Sequence, residues 1–149
     1  MTTTDSLFDQ TVRQTNKRCP VSDYINVASL SAAIPAYMLG TYLRCGTAWA
    51  FVDHVVMPVH VEVDAHFILV HFDIKERLLV VYNSLHGAAH RATALEAVEP
   101  FSVLLPNYLD HAGFYESRDD LDLEGPYSVP RSTRLKVVVA EDVPEQDAW

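Results

Sequence analysis

The chain has 149 residues, of which 49% are apolar and 21% charged, and its mean hydropathy is close to zero. A chain of this length is expected to form one domain that buries roughly 70% of its unfolded surface. Eleven Lys and Arg residues against twenty Asp and Glu residues give a formal charge of -9. This acidic balance argues against nucleic acid as the main partner, because phosphate binding needs a basic surface.

The sequence shows no signal for membrane insertion or secretion. The first six residues lack the basic and apolar regions of a signal peptide. The longest apolar stretch, 28–39, is interrupted by two serines and Pro35 and is too short to span a bilayer. Cys19 and Cys45 are too few for a disulfide framework, and a single bridge between them stays an open alternative. We therefore expect an intracellular protein, in the nucleus or cytoplasm, with no membrane partner.

The N-terminal part divides into two segments. Residues 1–22 are polar and show no periodicity, which predicts a loosely ordered segment ahead of a domain that spans 23–149. Apolar residues then recur every three or four positions over 24–43, which predicts a helix. Pro35 is expected to break or kink that helix.

Three short strands are predicted next. Residues 51–61 are rich in β-branched side chains, and Pro58 is expected to mark a strand edge or a bulge. The apolar runs 66–72 and 78–82 are joined by a short charged connector, which predicts a β-hairpin. Because neither run alternates cleanly between polar and apolar residues, we expect the sheet to be covered on both faces.

The C-terminal part returns to helical spacing. Residues 91–110 predict a helix that is interrupted by Pro100 and Pro106. An acidic, turn-rich loop follows over 118–130, and 135–140 predicts a last strand. The order of elements indicates an α+β fold, with a central mixed or antiparallel sheet flanked by helices.

The hairpin carries a candidate catalytic pair. If its turn is centred on Ile74 and Lys75, opposed residues have numbers that add up to 149, and His66 lies opposite Asn83. Opposed side chains share a face, with Cβ atoms roughly 4.5–5.5 Å apart, so the Asn83 amide oxygen can hold an imidazole N–H. A histidine oriented in this way is two thirds of a nucleophilic triad, of which Cys-His-Asn is one version. The competing interpretation is a structural or surface histidine followed by an ordinary turn.

The same residues resemble a known family. Three motifs carry the resemblance, namely Val-Met-Pro-Val-His-Val ending at residue 61, His-Phe-Ile-Leu from His66, and Val-Tyr-Asn-Ser-Leu ending at residue 85. They are similar to the ubiquitin-like protease family, the SUMO/sentrin-specific cysteine peptidases and their plant relatives. That family has an aliphatic run with Pro-Val/Ile, then His-Trp-x-Leu, then a strand ending in Tyr-Asp-Ser. Near the C-terminus, Val-Pro-Glu-Gln ending at Gln146 resembles the family's Val-Pro-x-Gln. The resemblance covers residues 24–146 and is closest in 49–85.

The resemblance implies a fold, a site and a partner. It implies a papain-like cysteine-peptidase fold, with His66 as the general base, Asn83 as the residue that orients it and Gln146 as a donor to the oxyanion hole. A thiolate would attack the carbonyl of a glycine-terminated tail, so the partner would be a ubiquitin-like modifier or its conjugates. The resemblance implies no cofactor and no metal.

The sequence departs from the family pattern at three points. Asn83 stands where the family usually has Asp, and Phe67 replaces the usual Trp. The family's nucleophilic Cys follows the Gln, whereas no Cys follows Gln146 here. Cys45 lies ahead of the hairpin and is expected to be a small buried residue. We therefore expect an incomplete catalytic domain with little or no peptidase activity, in which one sheet face or edge is exposed.

Two other interpretations compete with a peptidase domain. The first is a non-catalytic domain that still binds a ubiquitin-like protein. The second is a metal-binding domain, because six histidines are close in sequence: His54, His60, His66, His71, His86 and His90. Zinc sites need converging imidazoles, but these histidines have no Cys partner and form no His-Glu-x-x-His motif.

Overall fold

The computed structural model describes residues 1–18 and 30–145. Within these ranges the chain forms, in order, β1 Thr2–Thr3, α1 Ser6–Arg18, α2 Ala33–Met38, a 3₁₀ turn Trp49–Phe51, β2 His54–Val61, β3 His66–Asp73, β4 Leu78–Tyr82, α3 Ala88–His111, a 3₁₀ turn Phe114–Ser117 and β5 Lys136–Val139. The predicted strands of the hairpin, the long helix and the last strand are confirmed.

The strands form one mixed sheet in the order β1-β2-β3-β4-β5. The three central strands are antiparallel to one another, and each outer strand is parallel to its neighbour. Parallel pairing of β4 and β5 requires a crossover connection, which α3 and the acidic loop supply. The α+β class with a central mixed sheet is confirmed.

The hydrophobic core lies between one face of the sheet and the helices α1 and α3. Phe8 of α1, Trp49 and Phe101 of α3 are fully buried, and the ring of Phe8 lies 5.9 Å from that of Trp49 and 6.2 Å from that of Phe101. The strands supply the inward-facing residues at every second position: Val55, Met57, Val59, Ile68, Val70, Phe72, Leu79 and Val81. Burial of this apolar surface is the main term that stabilises the fold.

The opposite face of the sheet is exposed, and we call it the open face. It consists of the outward-pointing residues of the four longer strands: His54, Val56, Pro58, His60, Phe67, Leu69, His71, Asp73, Leu78, Val80, Tyr82, Lys136 and Val138. Phe67 is 53% exposed and Leu69 42%. The expectation of a sheet covered on both faces is therefore wrong, and that of one exposed face is confirmed. The error arises because apolar residues occupy the outward positions too, which hides the alternation.

Residues 1–18, the described part of the segment 1–22, pack against the domain, contrary to the expectation of a loosely ordered segment. In α1, Phe8 and Val12 are fully buried and Thr15 is 3% exposed, so one stripe of the helix packs into the core. Asp5 caps the helix, because its Oδ1 accepts the Phe8 N–H at 3.0 Å. The surrounding Thr, Gln, Asn and Lys residues hide this narrow stripe in the sequence.

Helix α1 also protects an edge of the sheet. Strand β1 pairs with only the first part of the outer edge of β2. Further along that edge, Pro58 has no N–H that could remain unpaired, and the His60 N–H donates to Asp9 Oδ2 at 3.2 Å. Pro58 pairs with Leu69 within a continuous ladder, so it marks an edge and not a bulge. Exposed strand edges promote aggregation, and these devices reduce that risk.

The predicted interruption of α3 by two prolines is wrong, because the helix continues through Pro100 and Pro106. A proline removes the donor to the carbonyl four residues earlier, which for Pro106 is that of Ser102. That carbonyl instead accepts the Leu135 N–H at 2.9 Å. The Leu135 N–H, in the segment before β5, therefore provides the hydrogen bond to the Ser102 carbonyl that Pro106 cannot donate.

The part of the predicted helix 24–43 that the structure describes, residues 30–43, contains one short α-helix. Within the described residues α2 covers Ala33–Met38, with Pro35 in its first turn, where a proline is tolerated. Residues 19–29 lie outside the described part. No helix of the described chain is long and apolar enough to cross a membrane.

The acidic loop, predicted over 118–130, is confirmed as a series of turns and is anchored by Arg118. This guanidinium is 7% exposed, and it donates to the carbonyl of Val52 at 2.7 Å and to Asp53 at 2.9 Å. It also pairs with Asp120, Nε to Oδ1 at 2.7 Å. A planar guanidinium can satisfy all three acceptors at once, which ties the loop to the start of β2.

Candidate functional site

The β3–β4 hairpin has a different register from the expected one. Leu69 pairs with Tyr82 and Asp73 with Leu78, so paired residue numbers add up to 151 and not 149. The expected pairing of His66 with Asn83 is therefore wrong by two residues. A register shift of two residues leaves every side chain on its original face of the sheet. His66 and Asn83 therefore belong to the same face but do not lie opposite each other.

His66 begins β3, where it pairs with Val61 of β2. Its Nε2 lies 3.3 Å from the hydroxyl oxygen of Ser84. Ser84 directly follows the residue that the sequence analysis chose as the partner of His66. Strand pairing does not predict this contact, because the β3–β4 ladder ends at the Leu69–Tyr82 pair and Ser84 lies in the connection beyond it.

Asn83 shapes the connection between β4 and α3. Its side chain is buried, with 6% exposure, and its Oδ1 accepts the Leu85 N–H at 3.0 Å. Its Nδ2 donates to the His90 carbonyl at 3.4 Å. The described bonds of this amide therefore hold a turn against the first turn of α3. Gln146, the predicted oxyanion donor, lies outside the described residues.

A carboxylate that sequence reasoning missed lies beside His66. Asp64, in the β2–β3 turn, accepts the Thr93 hydroxyl at 2.7 Å, and its Oδ1 lies 3.1 Å from His90 Nδ1. The Thr93 hydrogen bond, followed by the bond and charge of His90 and the charge of His66, lowers the pKa of Asp64. The group is therefore ionised at neutral pH. Its environment depends on how α3 packs over the turn, and no local sequence pattern reveals that.

The directions of the strands bring these residues to one end of the sheet, where β3 begins and β4 and β5 end. β3 begins where the antiparallel β4 ends, and the parallel β4 and β5 both end at this edge. The chain after β5 also passes here, because His86 Nε2 donates to the Val143 carbonyl at 2.9 Å. A cleft of about 240 Å³, open to solvent, lies between the β4–α3 connection, Arg91 and the end of β5. The carboxyl ends of neighbouring parallel strands commonly form ligand-binding sites.

Cys45 is exposed, so the expectation of a small buried residue is wrong. It belongs to the connection ahead of β2, whereas His66 lies beside the last residue of β2. The eight residues of that strand extend about 26 Å. The connection that holds Cys45 therefore enters the sheet at the end opposite to His66. Cys19 lies outside the described residues.

The histidines are distributed over separate contacts. His54 Nδ1 and His71 Nε2 are 2.9 Å apart on the open face, whereas His86 and His90 lie at the cleft edge. Among residues 1–18 and 30–145, no group of three or more His, Cys, Asp or Glu side chains could hold a metal ion. The metal-binding interpretation gains no converging ligand set from these parts of the chain.

Comparisons with protein families and with curated proteins give no relative. No model of a protein family matches the chain. No curated protein matches it significantly either. The function is therefore argued from the residues and their geometry.

Proposed function

We propose that this chain is a papain-like domain of the ubiquitin-like protease type, which binds a ubiquitin-like modifier at the cleft between the β4–α3 connection and the end of β5. One observation supports this more than any other. The segments of the resemblance meet at one end of the sheet, since His66 opens β3, Asn83 follows β4, and the Val143 carbonyl, after β5, accepts the His86 N–H there. His66 and Asn83 are the base and the orienting residue that the resemblance implies, and Val143 begins the motif that ends at the implied oxyanion donor.

The cleft suits the tail of such a partner. Its floor includes Gly87, where no heavy atom lies within 4 Å of the position that a Cβ would occupy. An extended, glycine-terminated tail is narrow enough to use this space. Arg91 lines the same cleft and provides a cation for the carboxylate at the end of a processed tail. Glu141 also lines this cleft, at the end of β5, so the cleft has one charged side chain of each sign.

Cleavage requires more than binding. The base of a cysteine peptidase must lie within hydrogen-bond reach of its thiol. In the described part of the chain Cys45 belongs to a connection at the far end of β2, and Ser84 is the residue that contacts His66. We therefore expect this chain to bind modifiers without hydrolysing their peptide bonds.

Titration of the ¹⁵N-labelled chain with ubiquitin and with SUMO- and NEDD8-type proteins tests the proposal. Saturable shifts at cleft residues with a Kd on the order of 1–100 μM, about -8 to -5.5 kcal/mol, are expected for at least one modifier. Arg91→Glu should weaken this binding at least about tenfold, and Arg44→Glu, at an exposed position ahead of β2, is the matched control. Absence of binding at millimolar concentration to all three classes would overturn the proposal.

A further inference from the structure

We infer that Ser84 is a nucleophile and His66 its general base, and that the pair hydrolyses carboxylic esters. This activity needs no cysteine and does not depend on a ubiquitin-like partner. The inference begins with the contact between Ser84 Oγ and His66 Nε2, at 3.3 Å. A nucleophilic hydroxyl requires a base within this reach, with some tightening when the substrate is bound.

The backbone holds Ser84 at a strand–turn–helix junction. Asn83 bonds forward to the Leu85 N–H and to the His90 carbonyl of α3, so the residues on both sides of Ser84 are fixed. A sharp turn between a strand and a helix is where α/β-hydrolases expose their nucleophile. The turn here lacks the flanking glycines of that motif, and a buried amide stabilises it instead.

A fixed negative charge accompanies the base. Asp64 lies two residues before His66, and its carboxylate is 11% exposed and anchored by Thr93 and His90. A carboxylate near an imidazole stabilises the imidazolium that forms when the base takes a proton. Asp64, whose hydrogen bonds go to Thr93 and His90, thus acts on His66 through its charge.

The substrate class follows from the neighbouring groups. The first N–H groups of α3 have no acceptor within the helix, and they begin four residues after Ser84 at the edge of the cleft. They are available to a carbonyl oxygen that becomes negative during attack. We assign an ester and not an amide, because an alkoxide or phenolate is a much better leaving group than an amide nitrogen and so demands less of this pair.

The reaction conserves atoms and charge in two steps. Ser84 Oγ bonds to the ester carbonyl carbon while His66 Nε2 takes the hydroxyl proton, and the bond to the leaving oxygen then breaks as His66 returns that proton to it. A water next attacks the acyl-serine and gives its proton to His66. The second bond breaks, the acid leaves, and the proton returns to Ser84 Oγ.

A fluorophosphonate probe and p-nitrophenyl acetate test the inference on the full chain. The probe should attach to the peptide that contains Ser84, as identified by mass spectrometry. Ser84→Ala and His66→Ala should each lower ester hydrolysis at least about 100-fold. Ser132→Ala, at an exposed serine in the segment before β5, is the matched control and should leave the rate unchanged. Circular dichroism of each variant verifies the fold.

A second variant removes the dependence on the native hydroxyl. Ser84→Cys places a thiol against His66, so its alkylation by iodoacetamide should be at least about tenfold faster than in the Ser84→Cys, His66→Ala double variant. Equal alkylation rates, or a probe that labels another residue, would overturn the inference. Ser84→Ala should still bind the modifier in the titration above. Loss of ester hydrolysis therefore tests the role of Ser84, and loss of modifier binding tests the proposed function.

Discussion

Asp9 is the most completely buried carboxylate of the described chain, with 1% exposure. Desolvation raises its pKa, and the His60 N–H and the Arg13 charge oppose that effect only in part. One oxygen accepts the His60 N–H and pairs with Arg13 at 2.7 Å, whereas the other has no hydrogen-bond partner in the structure. Ionisation of this group thus weakens the native state.

A pH-dependent stability difference follows from Asp9. A carboxyl group whose folded pKa is raised contributes stability at pH values below its unfolded pKa of 3.8, and that contribution is lost as the pH rises through the folded pKa. Asp9→Asn removes the titration and keeps an acceptor for His60. We expect the free energy of unfolding of the native chain, relative to Asp9→Asn, to fall as the pH rises from about 3 to 7. Urea denaturation at several pH values measures it, and a constant difference would contradict the prediction.

At the scale of elements, α1 belongs to the core. Phe8 meets three aromatic rings, those of Tyr37, Trp49 and Phe101, at 4.8 to 6.2 Å. Tyr37 in turn donates its hydroxyl to Asp5, the residue that caps α1. One side chain therefore links α1, α2, α3 and the turn ahead of β2.

Truncation of Phe8 measures how strongly α1 supports the fold. Phe8→Ala should lower the free energy of unfolding by about 3–5 kcal/mol, since it removes buried surface and leaves a cavity. Leu7→Ala, one position away and 44% exposed, is the control and should cost less than about 1 kcal/mol. Chemical denaturation measures both, and similar losses for the two variants would contradict a core role for α1.

The elements also show which parts of the fold can be predicted from the sequence. Strands β2 to β4 and helix α3 have continuous apolar patterns, and their positions were predicted to within a few residues. The register of the β3–β4 hairpin was not predicted, because it depends on the turn between the strands. In that turn Asp73 Oδ1 accepts the Glu76 N–H, and the centre of the turn lies one residue later than expected. Helix α1 escaped prediction because only two of its four buried residues, Phe8 and Val12, are apolar, which leaves too weak a pattern in thirteen residues.

The candidate site was predicted only in part. His66 and Asn83 do lie at one edge, because strand order and direction follow from the hairpin. Asp64 and Ser84 were missed, since the contacts of Asp64 require the packing of α3 over the β2–β3 turn and Ser84 lies in the connection beyond the last strand pair. Tertiary contacts of this kind have no local signal in the sequence.

At the scale of the whole molecule, the open face determines solubility. Leu69 and Tyr82 are neighbours across β3 and β4 and are 42% and 37% exposed. Contiguous apolar surface on a sheet promotes self-association. Leu69→Lys should therefore reduce light scattering of concentrated solutions and change the free energy of unfolding by less than about 1 kcal/mol. Leu123→Lys, on the acidic loop and 75% exposed, adds the same charge and should change scattering much less.

The order of strands has a consequence for how the chain folds. The three central strands are neighbours both in sequence and in space, within residues 54–82, whereas the outer strands come from near residues 2 and 136. Closing short loops costs less entropy than closing long ones, so the central meander can assemble before either terminal strand docks. The amides of β2 to β4 should then exchange with deuterium most slowly, and the peripheral strands should open first without unravelling the centre.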